Sequence, residues 1–139
     1  MKIIECVTPD KMMATFEVMQ QLRPHLEKAD YLTAMDRLDD DGARLIAAFD
    51  GEECLGCAVF RPQFRLTFGD IVYVDDLVTR DDKRSSGVGA ALLDWIEQDA
   101  KANNATMLIL DSGVQRERAH RFYFRQGLAI TSFNFKKPL

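Results

Sequence analysis

The apolar positions of the chain follow two periods, one typical of strands and one typical of amphipathic helices. Apolar runs of strand length cover residues 2–7, 43–49, 54–60, 70–79, 106–110 and 128–135. Helical spacing covers residues 9–23, 26–38, 88–103 and 116–126. The resulting order, β-α-α-β-β-β-α-β-α-β, predicts one mixed α/β domain over residues 1–139.

Local signals support several of these boundaries. Thr8 precedes Pro9, a pair that suits the N-cap and first turn of a helix. Asp50-Gly51 lies between two apolar runs and predicts a hairpin. Gly127 is expected to end the last helix. Residues 106–110 form a continuous apolar run, which predicts a strand covered on both faces.

Composition narrows the function classes. The chain has 139 residues, 47% of them hydrophobic and 29% charged, as in an ordinary globular protein. Its net charge of −4 disfavours nucleic-acid binding, which needs a dominant basic surface. No apolar run approaches the length of a membrane span, and Glu5 interrupts the beginning, unlike a secretory signal. We therefore expect a cytoplasmic protein that binds neither nucleic acid nor membrane.

No metal site is predicted. Cys54 and Cys57 have the spacing of a zinc or redox pair, but both fall in an expected strand. Residues three apart on a regular strand point to opposite faces, which is poor for sharing a metal. The acidic run 39–42 lacks the spacing of a calcium loop and is interpreted as a turn.

The stretch RSSGVGAALLDW, residues 84–95, places two glycines at the start of a helical pattern. A strand, then Arg-x-x-Gly-x-Gly, then a helix is typical of an anion site, because glycines admit close approach and free N–H groups point outward. Arg80, Lys83 and Arg84 add local positive charge. The alternative is a glycine-rich turn without a ligand. The third glycine of a dinucleotide site and the Gly-Lys-Ser/Thr of a P-loop are both absent.

Two motifs resemble the GCN5-related N-acetyltransferase (GNAT) superfamily. The first is Arg-x-x-Gly-x-Gly, at Arg84, Gly87 and Gly89, and the second is Ala-x-x-Phe-Tyr-x-x-x-Gly, beginning at Ala119 and ending at Gly127. The resemblance covers nearly the whole chain, and the final part is similar to small-amine, aminoalkylphosphonate-type members. It implies a mixed, mostly antiparallel central sheet of six to seven strands with four helices, splayed between the strands at 70–79 and 106–110.

The resemblance also implies acetyl-CoA as co-substrate and assigns residues to it. The pantetheine arm would pair with the strand at Leu77, Val78 and Thr79. Arg116 stands where an Asn often contacts coenzyme A, and Ser85 stands where many members carry glycine. The loop around the pyrophosphate would comprise Arg84, Ser85, Ser86, Gly87, Val88, Gly89 and Ala90.

Acetyl transfer to an amine needs a proton acceptor and a proton donor. Asp75 and Asp76 interrupt an apolar run, and a bulge there would let both carboxylates face a cleft and take the amine's proton. They are otherwise a solvated turn or salt-bridge partners. By resemblance, Tyr123 donates to the leaving thiolate; otherwise it is a core aromatic residue. His120 is expected at the surface.

Three functions remain open at this stage. The favoured one is an N-acetyltransferase that transfers an acetyl group from acetyl-CoA to the primary amine of a small, cationic molecule. Residues 64–69 would narrow the groove that an extended peptide needs. The alternatives are a protein or peptide N-acetyltransferase and a non-catalytic coenzyme A-binding sensor. A homodimer is possible, since dimers are common in the family.

Overall fold

The computed structural model describes all residues from Met1 to Leu139 and contains five strands and five α-helices. The strands are β1 (Lys2–Glu5), β2 (Arg44–Asp50), β3 (Glu53–Arg65), β4 (Gly69–Thr79) and β5 (Met107–Leu110). The helices are α1 (Pro9–Met13), α2 (Phe16–Leu22), α3 (Tyr31–Asp40), α4 (Val88–Ala102) and α5 (Glu117–Arg125). Two short 3-10 turns lie at Lys28–Asp30 and Asp81–Lys83.

The strands form one sheet in the order β1-β2-β3-β4-β5. The first four are antiparallel neighbours, and Asp50 pairs with Glu53 across the predicted hairpin. The Thr106 N–H, just before β5, donates to the Asp70 carbonyl at 2.9 Å, so β4 and β5 begin side by side. The mixed α/β class is confirmed, with five strands and five helices where six to seven and four were expected. The splay farther along β4 and β5 stays a prediction.

The strand expected at 128–135 does not form. Its alternating pattern is typical of a strand, yet Ile130, Phe133 and Phe135 are all exposed. A strand needs a hydrogen-bonded neighbour, and residues 110–139 contain one helix and no second strand of their own. Accordingly, β5 is the last strand in the sheet order and is half-buried rather than covered on both faces.

The first predicted helix is divided at Ala14 and Thr15 into α1 and α2. The Thr15 hydroxyl donates to the Met12 carbonyl at 2.7 Å and lies 2.7 Å from the Tyr31 hydroxyl. Because the Thr15 hydroxyl already donates its proton to Met12, the Tyr31 hydroxyl is the donor in the second hydrogen bond. A threonine that bonds to the backbone competes with helical hydrogen bonding. The Thr8 cap itself is as predicted, accepting from the Lys11 N–H at 3.3 Å.

Helices cover both faces of the sheet within residues 1–109. On one face, buried side chains of α2 and α3, including Phe16, Met19 and Tyr31, belong to the same apolar cluster as Ala47 and Val59 of the strands. On the other face, α4 packs against β3, and Trp95 meets Phe60 edge to face with ring centroids 6.1 Å apart. Helix α4 thus lies against both β3 and β4.

The chain divides into two compact units, Met1–Ile109 and Leu110–Leu139, and each is described by itself. The expectation of a single domain over 1–139 stays a prediction. None of the helices has the length and apolar character needed to cross a membrane.

Candidate active site

The glycine-rich loop ends in backbone geometry that exposes N–H groups. Gly87 is the N-cap of α4 with φ of +88°, and Ser85 has φ of +65°. The first hydrogen bond of the helix runs from the Ala91 N–H to the Gly87 carbonyl at 3.0 Å. The three preceding N–H groups therefore have no acceptor within the helix, and they point away from its start, where an anion binds well. These N–H groups belong to Val88, Gly89 and Ala90.

The charge around this loop is more balanced than the sequence pattern indicates. Arg84 pairs with Asp81 at 2.6 Å, and Arg80 pairs with both Glu53 and Asp82. Lys83 is the third cation of this segment. The side chains of Arg84 and Asp81 are both more than half exposed, and a surface ion pair of this kind contributes little to stability. Arg84 therefore loses little by exchanging Asp81 for a phosphate.

Gly56, which sequence reasoning missed, brings the start of α4 against the sheet. A Cβ atom at this position would lie 2.9 Å from the Val78 carbonyl oxygen and 2.8 Å from a methyl carbon of Val88. Both distances are shorter than real Cβ contacts, so only glycine fits without displacement. The available signal was a glycine inside a strand pattern, which often marks close backbone approach.

The three residues expected to pair with pantetheine lie at the end of β4. Leu77, Val78 and Thr79 pair with Ala58, Cys57 and Gly56 of β3. Their other edge faces the β5 side of the sheet, and the two bonds that Thr106 donates to that edge, to the carbonyls of Asp70 and Phe68, lie at the opposite end of β4. Pairing of this edge with a cofactor stays a prediction.

The bulge expected at Asp75 and Asp76 is present. Val59 of β3 pairs with Asp76, and the next residue, Phe60, pairs with Val74, so Asp75 is an additional residue in β4. In a bulge of this kind, two successive residues oppose one partner and point to about the same side. The local fold thus brings the two carboxylates together on the sheet face that carries Val59.

Each of these carboxylates is bound to an arginine that sequence reasoning did not single out. The Arg61 Nε donates to Asp75 Oδ2 at 2.8 Å, and the Arg23 Nε donates to Asp76 Oδ1 at 2.7 Å. A terminal nitrogen of Arg23 also donates to the Asp75 carbonyl at 3.3 Å. Both aspartates are therefore salt-bridge partners, which was the alternative interpretation of the acidic pair. Each pair commits one oxygen of its carboxylate, and the other oxygen has no partner in the protein.

Tyr123 lies half-buried on α5, in the unit that spans residues 110–139. Burial raises the pKa of its phenol, and the nearby Arg116 guanidinium partly opposes this effect. The hydroxyl is therefore protonated at neutral pH and able to donate. Its ring contacts that of Phe122, with centroids 5.4 Å apart. Arg116 immediately precedes α5 as its N-cap residue.

The loop before α5 holds His120 in place and contains one orphaned polar group. His120 Nε2 lies 2.8 Å from the Gly113 carbonyl. A carbonyl only accepts, so Nε2 carries a proton and does not serve as a base. The Ser112 hydroxyl oxygen is buried without a hydrogen-bonding partner.

The argument that Cys54 and Cys57 point to opposite faces is wrong. Phe49 pairs with Cys54 and Ala47 pairs with Cys57, so Leu55 is an additional residue and both thiols lie on the face of Ala47 and Phe49. A hydrogen bond between the thiols lowers the pKa of Cys54 and, together with burial, raises that of Cys57. Burial also raises the pKa of Cys6 to about 11. All three cysteines are free thiols, and no group of three metal-ligating side chains is present.

The fold and the loop can now be set beside known proteins. The family model described as the Acetyltransferase (GNAT) family matches residues 10–128. The chain belongs to this family. It is an N-acetyltransferase, and the family uses acetyl-CoA as co-substrate.

Two curated relatives share this assignment. An uncharacterized N-acetyltransferase of Bacillus subtilis (strain 168) is 30% identical over 127 residues, which is 90% of this chain and 89% of the relative. An aminoalkylphosphonate N-acetyltransferase of Salmonella typhimurium (strain LT2) is 32% identical over 107 residues, or 76% of this chain and 69% of the relative.

Solved structures share the fold. A Bacillus halodurans C-125 protein described as a transcriptional regulator matches with a TM-score of 0.87 and 24% identity, covering 99% of each chain. An acetyltransferase of Trypanosoma brucei matches with a TM-score of 0.79 and 19% identity, covering 99% of this chain and all of that one.

Proposed function

We propose that the protein transfers an acetyl group from acetyl-CoA to the primary amine of a small molecule, by direct attack of the amine. The observation that carries the proposal is the β4 bulge, where Asp75 and Asp76 follow one another on one strand. The glycine-rich start of α4 packs against the same sheet. The relative named for aminoalkylphosphonates supports a small-molecule acceptor. A cytoplasmic location remains part of the same proposal.

The loop at the start of α4 fits a coenzyme. The N–H groups of Val88, Gly89 and Ala90 have no helical acceptor, and space is open where a Cβ of Gly87 would lie. These groups and Arg84 would hold the pyrophosphate, and the edge of β4 at 77–79 that faces away from β3 would hold the pantetheine. Arg116 is proposed as a further contact, from the family motif. When bound, acetyl-CoA supplies the acetyl group as a thioester.

The acceptor amine must lose a proton before it attacks. For an amine with a pKa of about 10.4, the neutral form at pH 7 costs about 4.6 kcal/mol. Asp75 and Asp76 each keep one carboxylate oxygen without a partner in the protein, and these oxygens are suited to hold the ammonium group and accept its proton, directly or through a water.

Tyr123 is proposed as the group that protonates or hydrogen-bonds the departing thiolate. The role rests on the family motif and on a phenol pKa that burial raises, which keeps the donor proton in place at neutral pH. A thiol has a pKa of about 8.5, so a proton from a donor near the sulfur stabilises the leaving group as charge develops.

An acceptor screen tests the proposal. Purified protein is incubated with acetyl-CoA and with polyamines, amino acids, aminoglycosides, aminophosphonates or peptides, and released coenzyme A is measured with a thiol reagent. We expect release with at least one class of small amine. Release only with peptides would favour a peptide acetyltransferase, and acetyl-CoA binding without release in any assay would favour a sensor.

A further inference from the structure

Four charged side chains meet at the β4 bulge and together carry no net charge. We call Arg23, Arg61, Asp75 and Asp76 the bulge quartet. Both arginines contact residue 75, Arg61 through its carboxylate and Arg23 through its carbonyl oxygen. The expectation of a small, cationic acceptor treats the two aspartates as negative charges without partners. The two guanidinium groups remove that basis.

The arginines of the quartet keep donors that the protein does not use. A guanidinium has five N–H donors in a planar fork. Arg61 commits only its Nε, so its two terminal nitrogens have no protein acceptor, and its side chain as a whole is only 19% exposed. Arg23 commits Nε and one terminal nitrogen and is 45% exposed. Such partly desolvated donors favour an oxyanion, which accepts two parallel bonds from one fork.

The two aspartates of the quartet offer hydrogen-bond acceptors for a cationic group. The unpaired oxygens of Asp75 and Asp76 are acceptors for an ammonium group, which has three donors and no acceptor. The quartet therefore presents cationic donors and anionic acceptors around a single residue of β4. Its complement is a small molecule that carries both charges a few atoms apart.

We propose that the acceptor is a zwitterion, a small primary amine that also bears an anionic phosphonate or carboxylate group. The terminal nitrogens of Arg61 and Arg23 bind the anionic group, and the aspartates hold the amine. This inference rests on the proposed function and names its substrate class. It makes Arg61 and Arg23 specificity-determining residues.

The test compares four amines that differ in charge. Aminoethylphosphonate and β-alanine carry an anionic group, propylamine carries none, and putrescine carries a second cation. We expect kcat/KM for at least one zwitterion to exceed that for propylamine and putrescine by tenfold or more. The two zwitterions distinguish a phosphonate from a carboxylate ligand.

Substitutions then assign the effect to the quartet. In Arg61→Gln and Arg23→Gln, the preference for the zwitterion over propylamine should fall about tenfold to hundredfold, as expected for lost hydrogen bonds to a charged group. The matched control is Arg65→Gln. Arg65 lies on the same strand as Arg61. Its guanidinium donates to Gln63 and lies over the Tyr73 ring, and it contacts no carboxylate of the quartet. This control should keep the preference, and thermal melting of all variants checks that they fold.

Failure of the inference is distinguishable from failure of the proposed function. If the parent prefers propylamine or putrescine, or if the arginine variants lose activity equally with all amines, the zwitterion subsite is refuted while amine acetylation stands. If no amine releases coenzyme A, the proposed function fails, and calorimetry with aminoethylphosphonate and β-alanine decides the subsite alone. Binding that Arg61→Gln abolishes would uphold the subsite, and absence of binding to the parent would refute it.

Discussion

At the scale of single residues, Ser85 adopts a conformation that suits glycine better. Its φ of +65° is left-handed, which costs an L-residue roughly 1–2 kcal/mol. Ser85→Gly removes this strain, although the greater freedom of glycine in the unfolded chain offsets part of the gain. We expect the free energy of unfolding to rise by up to about 1 kcal/mol, measured by urea denaturation.

The neighbouring serine provides the control for this substitution. Ser86 has no left-handed φ, and its hydroxyl donates to the Lys83 carbonyl. Ser86→Gly therefore relieves no strain and should lower stability. If Ser85→Gly and Ser86→Gly destabilise the protein equally, the left-handed backbone of Ser85 carries no cost and the loop is already relaxed.

Tyr123 is the residue at which a chemical role and a packing role separate most cleanly. Its hydroxyl has no hydrogen-bonding partner in the protein, so Tyr123→Phe keeps the ring and removes no internal bond. A donor that acts only on the departing thiolate affects kcat rather than substrate affinity. We expect kcat to fall about a hundredfold, near the lower end of general acid catalysis, with acetyl-CoA affinity within a few-fold. Parent-like turnover under conditions where chemistry is rate-limiting would make Tyr123 a core aromatic residue only.

At the scale of elements, predictions succeeded where a signal is local. The helix Val88–Ala102 and the hairpin at Asp50-Gly51 depend on periodicity and turn residues within one segment. The predictions failed where contacts with distant residues determine whether an element forms. Residues 128–135 alternate but form no strand, since residues 110–139 hold no second strand to pair with them, and Thr15 breaks the first helix because of Met12 and Tyr31. A local pattern shows which element a segment can form, and contacts with distant residues determine whether that element forms.

The contact between β3 and α4 is an element-scale device that depends on Gly56. Gly56→Ala places a methyl group against the Val78 carbonyl and the Val88 side chain, so strand or helix must shift. Overpacking of this kind costs about 1–3 kcal/mol. Because Val88 begins the helix whose free N–H groups are proposed to bind the pyrophosphate, acetyl-CoA affinity should also fall several-fold by calorimetry.

A second glycine separates these two effects. Gly69 has a left-handed φ of +73° at the β3–β4 turn, with open space where a Cβ would lie. Gly69→Ala should therefore lower stability through backbone strain while leaving acetyl-CoA affinity unchanged. Equal affinity losses in both variants would mean that Gly56 acts through general destabilisation, and unchanged affinity in Gly56→Ala would remove its link to the cofactor loop.

At the scale of the whole molecule, the candidate site was predictable only where its residues are close in sequence. The acidic pair and its bulge were expected from two adjacent aspartates in an apolar run. The arginines were not, because Arg61 is 14 residues and Arg23 is 53 residues from its aspartate. Only the register of β3 on β4 and the position of the end of α2 bring them together. The family motifs therefore indicate the reaction, whereas long-range pairing determines the charge at the β4 bulge.

The whole molecule also has an expected stability limit at alkaline pH. Burial raises the pKa values of Cys6, Tyr31 and Tyr123, and the hydrogen bond with Cys54 together with burial raises that of Cys57, so the folded chain retains protons that the unfolded chain releases. When the unfolded state binds fewer protons, the free energy of unfolding falls as pH rises. The stabilising contribution of these groups is complete below the unfolded pKa values, near 8.5 for the thiols and 10 for the phenols. The Cys54 thiol, whose pKa is lowered, acts in the opposite direction.

We expect the free energy of unfolding to decline from about pH 9 and to steepen above pH 10, each fully titrating group adding about 1.4 kcal/mol per pH unit. Urea denaturation between pH 7 and pH 11 measures this slope. Tyr31→Phe lowers stability at every pH, because Thr15 loses its hydrogen-bond donor, yet it should flatten the slope above pH 10 by the contribution of one phenol. Asp36→Asn, at the exposed surface of the same helix, is the matched control and should leave the slope unchanged. A parent curve that stays level through pH 11 would show that the buried tyrosines and thiols titrate alike in the folded and unfolded chain.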